Sequence, residues 1–233
     1  MLIRKISKGV AAVVVYIMCA YGYLTAKGFI YDGKTFILSN HAEAAENMKF
    51  NVNNERVRAL GNENAPLTMY IFSAVTCSHC QDFHNFILPK LNRDFITKGL
   101  LRFVYVHFPA DATTMRAAKL SYCLPKEKFY DFISDLYDSR DWKFTADVSI
   151  LNNHAKKFGL TDADILACNE DKKLTSDILL MRDSAASAFH ITVTPTIVIE
   201  NGNSREAMTA KSYSELKNYL EGLLAKGGNG GNI

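Results

Sequence analysis

A pair of cysteines at the junction of a strand-like and a helix-like segment restricts this chain more than any other feature. Cys77-Ser78-His79-Cys80 follows LTMYIFSAVT and precedes QDFHNFILPKLNRDF. Leu67 to Phe72 is apolar, β-branched and aromatic, the pattern of a buried strand. Beyond the cysteines, Phe83, Phe86, Ile87 and Leu91 recur with polar residues between them, which is helical spacing. The pair therefore sits where a strand ends and a helix begins.

That position has chemical consequences. At a helix N-terminus the unpaired main-chain N–H groups and the macrodipole favour a negative charge. Cys77 gains most from this as a thiolate, and its pKa is expected below the free value of about 8.5. His79 can add a hydrogen bond or, when protonated, positive charge. A thiolate stabilised in this way is a good leaving group, so a Cys77–Cys80 disulfide is predicted to be reactive and oxidising. Zinc binding needs a second ligand pair. The other cysteines, Cys19, Cys123 and Cys168, are scattered singly, so no metal site is expected.

Arg4, Lys5 and Lys8 precede an apolar run from Val10 to Leu24. A basic stretch followed by such a run has the architecture of an export signal. Met18-Cys19-Ala20 and Leu24-Thr25-Ala26 are poor cleavage sites, and the run is short for a spanning helix, which needs roughly 17–25 residues. Tyr21, Tyr23 and Lys27 could anchor it at an interface. Residues 1–26 are read as a signal or inner-membrane anchor (apolar part 10–24) that places the following domain outside the cytoplasm, where disulfides persist. The formal net charge of +3 over 233 residues, without a basic stripe, argues against a nucleic-acid partner.

Residues 27–60 are of mixed character, with a short hairpin expected from Tyr31 to Ser39 around Asp32-Gly33 and a helix from His41 to Met48. This stretch is a linker or an oligomerisation stalk through which the chain could form a homo-oligomer. Residues 61–225 suffice for one buried core. Strands are expected at Leu67–Phe72, Leu100–Phe108 and Thr196–Glu200, the last turning at Asn201-Gly202-Asn203 into Ala207–Thr209. A final helix opens with the capping box Ser212-x-x-Glu215. The pattern between about 112 and 190 is almost wholly helical, which predicts an α/β fold with an inserted helical subdomain. The glycine-rich tail, 226–233, is expected to be disordered.

Four stretches carry a resemblance: GNENAP before the first strand, FSAVTCSHC, HFPADATTMRAAKLSYC after the second strand, and ITVTPTIVIENG. Over residues 61–225 the chain resembles the DsbA-like branch of the thioredoxin superfamily. The resemblance implies a thioredoxin fold with a helical insertion and disulfide formation in exported proteins, without a cofactor. Cys77 takes the place of the attacking cysteine and Cys80 that of the resolving one, with His79 beside them. Thr194-Pro195 matches the family's cis-proline pair. A cis X–Pro bond lacks a main-chain donor and forces a tight turn, leaving the Thr194 backbone, with Ser78, to meet substrate. Implied partners are unfolded or partly folded thiol-containing proteins in the bacterial periplasm, and a membrane quinone-linked or thiol-reductant redox partner. An isomerase or reductase, often oligomeric, is the alternative.

Some relatives carry a second disulfide in the insertion, which makes Cys123–Cys168 a candidate. The sequence also departs from the family. Many relatives carry acids six and three positions before the first cysteine, where this chain has Ile71 and Ala74. An apolar floor raises the Cys80 pKa and leaves proton transfer to water or His107, although His107 also reads as an ordinary satisfied histidine. His84 reads as a surface residue, and Trp142 as core.

Overall fold

The computed structural model describes residues 29–31, 36–38, 50, 54–139, 141–143, 145, 147–202, 204–209 and 212–228. Residues 1–49 and 50–233 form two compact units. In the first, β1 (Phe29–Tyr31) pairs antiparallel with β2 (Phe36–Leu38), with Tyr31 opposite Phe36. The leader with Cys19, the helix expected over 41–48 and residues 229–233 lie outside the described residues. Among the described residues no helix is long and apolar enough to cross a membrane.

The second unit is built on a sheet ordered β3-β5-β4-β6-β7. Its strands are β3 (Arg58–Leu60), β4 (Leu67–Ser73), β5 (Leu101–His107), β6 (Thr196–Asn201) and β7 (Ser204–Thr209). β4 and β5 are parallel, and the other neighbours are antiparallel. Parallel strands need a crossover, and the helix that starts at the cysteine pair supplies it. Side chains alternate along β4. Met69, Ile71 and Ser73 share a face with Phe103, Tyr105 and His107, their register partners on β5. On the opposite face Phe50 packs edge-on against Tyr70, Phe72 and Phe189 at 5.3–5.4 Å between ring centroids. Both faces are covered, so β4 is buried nearly throughout and reads as a continuous apolar run rather than an alternating one.

β3 and Phe50 lie in the stretch read from sequence as linker. Three residues at a sheet edge, two of them with cationic or small side chains, carry too little apolar pattern to announce a strand.

The crossover is one helical path made of α1 (Ser78–Asp82), a π turn (Phe83–Ile87), α2 (Leu88–Leu91) and a second π turn (Asn92–Ile96). Pro89 cannot donate to the carbonyl four residues back, and its ring crowds that carbonyl; wider turns accommodate it. With i→i+5 bonding, residues five apart share a face. Phe83 and Leu88 are therefore buried, while Phe86, expected on the core stripe, turns outward and is 64% exposed.

The insertion runs through α3 (Ala112–Cys123), α4 (Phe129–Asp138), α5 (Val148–Lys157), α6 (Asp162–Glu170) and α7 (Lys172–Phe189). Asp111, Asp147, Thr161 and Asp171 cap four of the five by accepting main-chain N–H groups of the first turn, as short polar side chains do. A disulfide joins Cys123 at the end of α3 to Cys168 on α6, closing a separation of 45 residues. Trp142 is buried, and its indole donates to the Leu136 carbonyl. The closing helix α8 (Tyr213–Gly228) starts at the Ser212–Glu215 box and runs three residues into the glycine-rich tail.

Candidate active site

Ser73 ends β4, the chain turns through a Cys77 N–H to Ala74 carbonyl bond of 3.0 Å, and α1 begins at Ser78. Cys77 thus stands at the mouth of the helix, half-buried, and Cys80 one turn in, 1% exposed. Both are free thiols. The Thr194–Pro195 peptide, cis, leads into β6 from the opposite side. As a thiol, Cys77 donates to the Thr194 carbonyl at 3.3 Å.

The two sulfurs have opposite surroundings. A hydrogen bond from the Cys80 thiol is the largest influence on Cys77; burial opposes it, and the Thr194 side chain and the N–H groups of Cys80 and His79 reinforce it. Together they pull Cys77 down to about 5 from an ordinary 9.0. Cys80 moves the other way. Its hydrogen bond to Cys77 and its burial push it up, against weaker donors from Ser73 and the Ala74 N–H. A depressed half-buried thiol beside a raised buried one divides the pair into a nucleophile and leaving group at Cys77 and a protonated partner at Cys80.

His79 enters differently from the sequence expectation. Its main-chain N–H faces the Cys77 sulfur, because it is the second helical residue. The residue is exposed and also lines a cleft of about 470 Å³ with Phe83, Phe86, Val193, Thr194 and Pro195. Val193 is 53% exposed and Phe86 64%, so this cleft, which shares Thr194 with the Cys77 hydrogen bond, has an apolar rim. Ser78 is exposed between the cysteines.

The floor under Cys80 is less apolar than Ile71 and Ala74 suggested. Both are buried, but the Ser73 hydroxyl lies near enough to Cys80 to lower its pKa, and its Oγ is 2.8 Å from the Tyr137 hydroxyl. No sequence signal pairs a strand-end serine with a tyrosine 64 residues away. His107 is occupied elsewhere, with Nε2 2.8 Å from Ser121 Oγ, whose own proton goes to the Ala118 carbonyl. Burial first, then Arg58, hold His107 down near 3, so it is a neutral, satisfied core histidine. His84 is half-buried rather than a surface residue. Its Nε2 is 2.8 Å from Ser134 Oγ, and its ring packs on Tyr137.

A mixed sheet with a helical insertion between β5 and β6, and a polarised Cys-x-x-Cys pair at a strand–helix junction, define a thioredoxin-fold thiol–disulfide exchange protein. Residues 53–221 match the family model described as Thioredoxin. The chain is 26% identical over 171 residues to Disulfide bond formation protein D of Bacillus subtilis, covering 70% of this chain and 74% of that protein. Wolbachia pipientis alpha-DsbA1 superimposes with a TM-score of 0.67 at 26% identity, over 76% of this chain and 94% of the other. Oxidised BdbD from Bacillus subtilis shares the fold with a TM-score of 0.64 at 23% identity, over 73% and 94% of the two chains. The chain belongs to the thioredoxin family, and its matches there are of the DsbA-like kind.

Proposed function

We propose that this thiol–disulfide oxidoreductase acts as a dithiol oxidase, passing the Cys77–Cys80 disulfide to reduced, unfolded or partly folded proteins. The polarised pair carries the reading. A low Cys77 pKa stabilises the reduced enzyme, and a disulfide whose reduced form is stabilised is a strong oxidant. A substrate thiolate attacks Cys77, Cys80 departs, and a second substrate thiol displaces Cys77 to complete the new disulfide. The apolar rim at Phe86 and Val193 suits an extended chain, with Thr194 and Ser78 at its edge, His79 as part of the wall, and Pro195 behind the pair. Cys123–Cys168 serves as a structural bond.

Export supplies the oxidising compartment. The basic residues before the apolar run 10–24 support a periplasmic location, with that run as signal or anchor. A membrane quinone-linked protein is the proposed reoxidant, and the part of 27–60 that precedes Phe50 the proposed site of any self-association.

The test is oxidative folding of a reduced protein whose native state needs disulfides. Wild type supplied in its oxidised form should restore activity to it, Cys77→Ala should be inert, and Cys80→Ala, with glutathione disulfide supplied as oxidant, should accumulate a mixed disulfide through Cys77. Trapping through Cys80 would reverse the assignment. Activity on scrambled but not on reduced substrate would make the protein an isomerase.

A further inference from the structure

A buried cluster of hydroxyls beneath the active site has no part in the scheme above. Ser73 at the end of β4, Tyr137 on α4 and Tyr105 on β5 are all buried. Ser73 Oγ is 2.8 Å from Tyr137 Oη, which is 3.1 Å from Tyr105 Oη. Ser73 also lies close enough to Cys80 and Tyr105 to lower the pKa of both. Each hydroxyl has one proton to give and room to accept two. The cluster therefore runs from the strand-end serine to the resolving sulfur on one side and to two phenols on the other. It also ties the insertion to the sheet.

We propose that Ser73 is a catalytic residue that stabilises Cys80 as a leaving thiolate, with Tyr137 and Tyr105 as positioning residues that orient and polarise its hydroxyl. The proposal rests on the thiol–disulfide exchange argued above. When a substrate thiolate bonds to Cys77 Sγ, the Cys77–Cys80 bond breaks and its electron pair stays on Cys80. A buried anion without donors is costly. Ser73 turns its O–H to the sulfur, Tyr137 donates to Ser73, and Tyr105 donates to Tyr137. Only hydrogens rotate, and bonds in such a chain polarise one another.

The phenols do not give up protons in this scheme, because burial pushes both upward. The cluster stabilises charge and is not a proton source. Over the full cycle two substrate thiols lose two electrons and two protons. One proton ends on Cys80, the other goes to solvent, and Cys77 is left as thiolate. With apolar residues at Ile71 and Ala74, the serine does by hydrogen bonding part of what a nearby carboxyl would do by proton transfer.

The experiment is the rate at which excess dithiothreitol reduces the oxidised protein in stopped flow. Losing a hydrogen bond to a charged group should slow Ser73→Ala about tenfold, and Ser73→Thr should restore most of the rate. Tyr137→Phe, which keeps the ring, should slow reduction about threefold. Adding it to Ser73→Ala should cost nothing further, since the phenol acts through the serine. An unchanged rate in Ser73→Ala overturns the proposal. If that variant does not fold, an unchanged rate in Tyr137→Phe overturns it. A double variant slowed by the product of the single effects would reduce Tyr137 to a packing role. Wild type that fails to exchange with dithiothreitol would refute the oxidoreductase reading itself.

Discussion

Cys77 and Cys80 differ because one sulfur meets several donors at a helix mouth and the other is enclosed. The reduced protein should show thiolate absorbance that titrates near the value of about 5 held by Cys77; a midpoint near 9 would contradict the site geometry. The linkage has a definite sign. A folded-state pKa below the unfolded one stabilises the folded reduced form above the unfolded value, and that stability is lost as pH falls through the folded value. The reduced form should therefore gain thermal stability relative to the oxidised form as pH rises from about 5 towards 9. Melting temperatures of both forms across that window check this, and a flat difference would refute it. His79→Ala retains the main-chain donor and should change the exchange rate by no more than about twofold. A much larger loss would return the imidazole to the chemistry.

At the level of elements, the well-patterned parts of the fold were legible in sequence. β4, β5 and β6 are apolar runs bounded by turn residues, and α8 begins at its box. The short edge strand β3 carries no such pattern. The outward turn of Phe86 depends on π turns around Pro89 that helical periodicity does not encode. The Cys-x-x-Cys pair was readable because its chemistry is local; Ser73, Tyr105 and Tyr137 meet only through tertiary packing. Gly61, between β3 and β4, has a φ of +90°, and a Cβ there would lie 2.6 Å from the Leu101 carbonyl oxygen. Gly61→Ala should therefore destabilise the sheet edge by about 1–3 kcal/mol, measured by denaturant unfolding; an unchanged midpoint would contradict this packing. Replacing Cys123 and Cys168 with Ser should lower stability by about 2–4 kcal/mol through a less constrained unfolded chain. Exchange at Cys77 should persist, because that bond joins two insertion helices and not the active site. Equal stability with and without the bond would contradict this account.

For the whole molecule, the fold brings a β4–α1 junction, the Thr194 segment and an apolar rim to one end of the sheet, while the insertion supplies Tyr137 beneath it. The family fold alone does not set the direction of electron flow; the oxidase reading proposed above rests on the lowered pKa of Cys77. The most direct test is the redox potential of the Cys77–Cys80 couple, measured by equilibration with glutathione. A dithiol oxidase should give a strongly oxidising value of about −120 mV, and a value of about −270 mV, typical of a reductant, would contradict the oxidase reading.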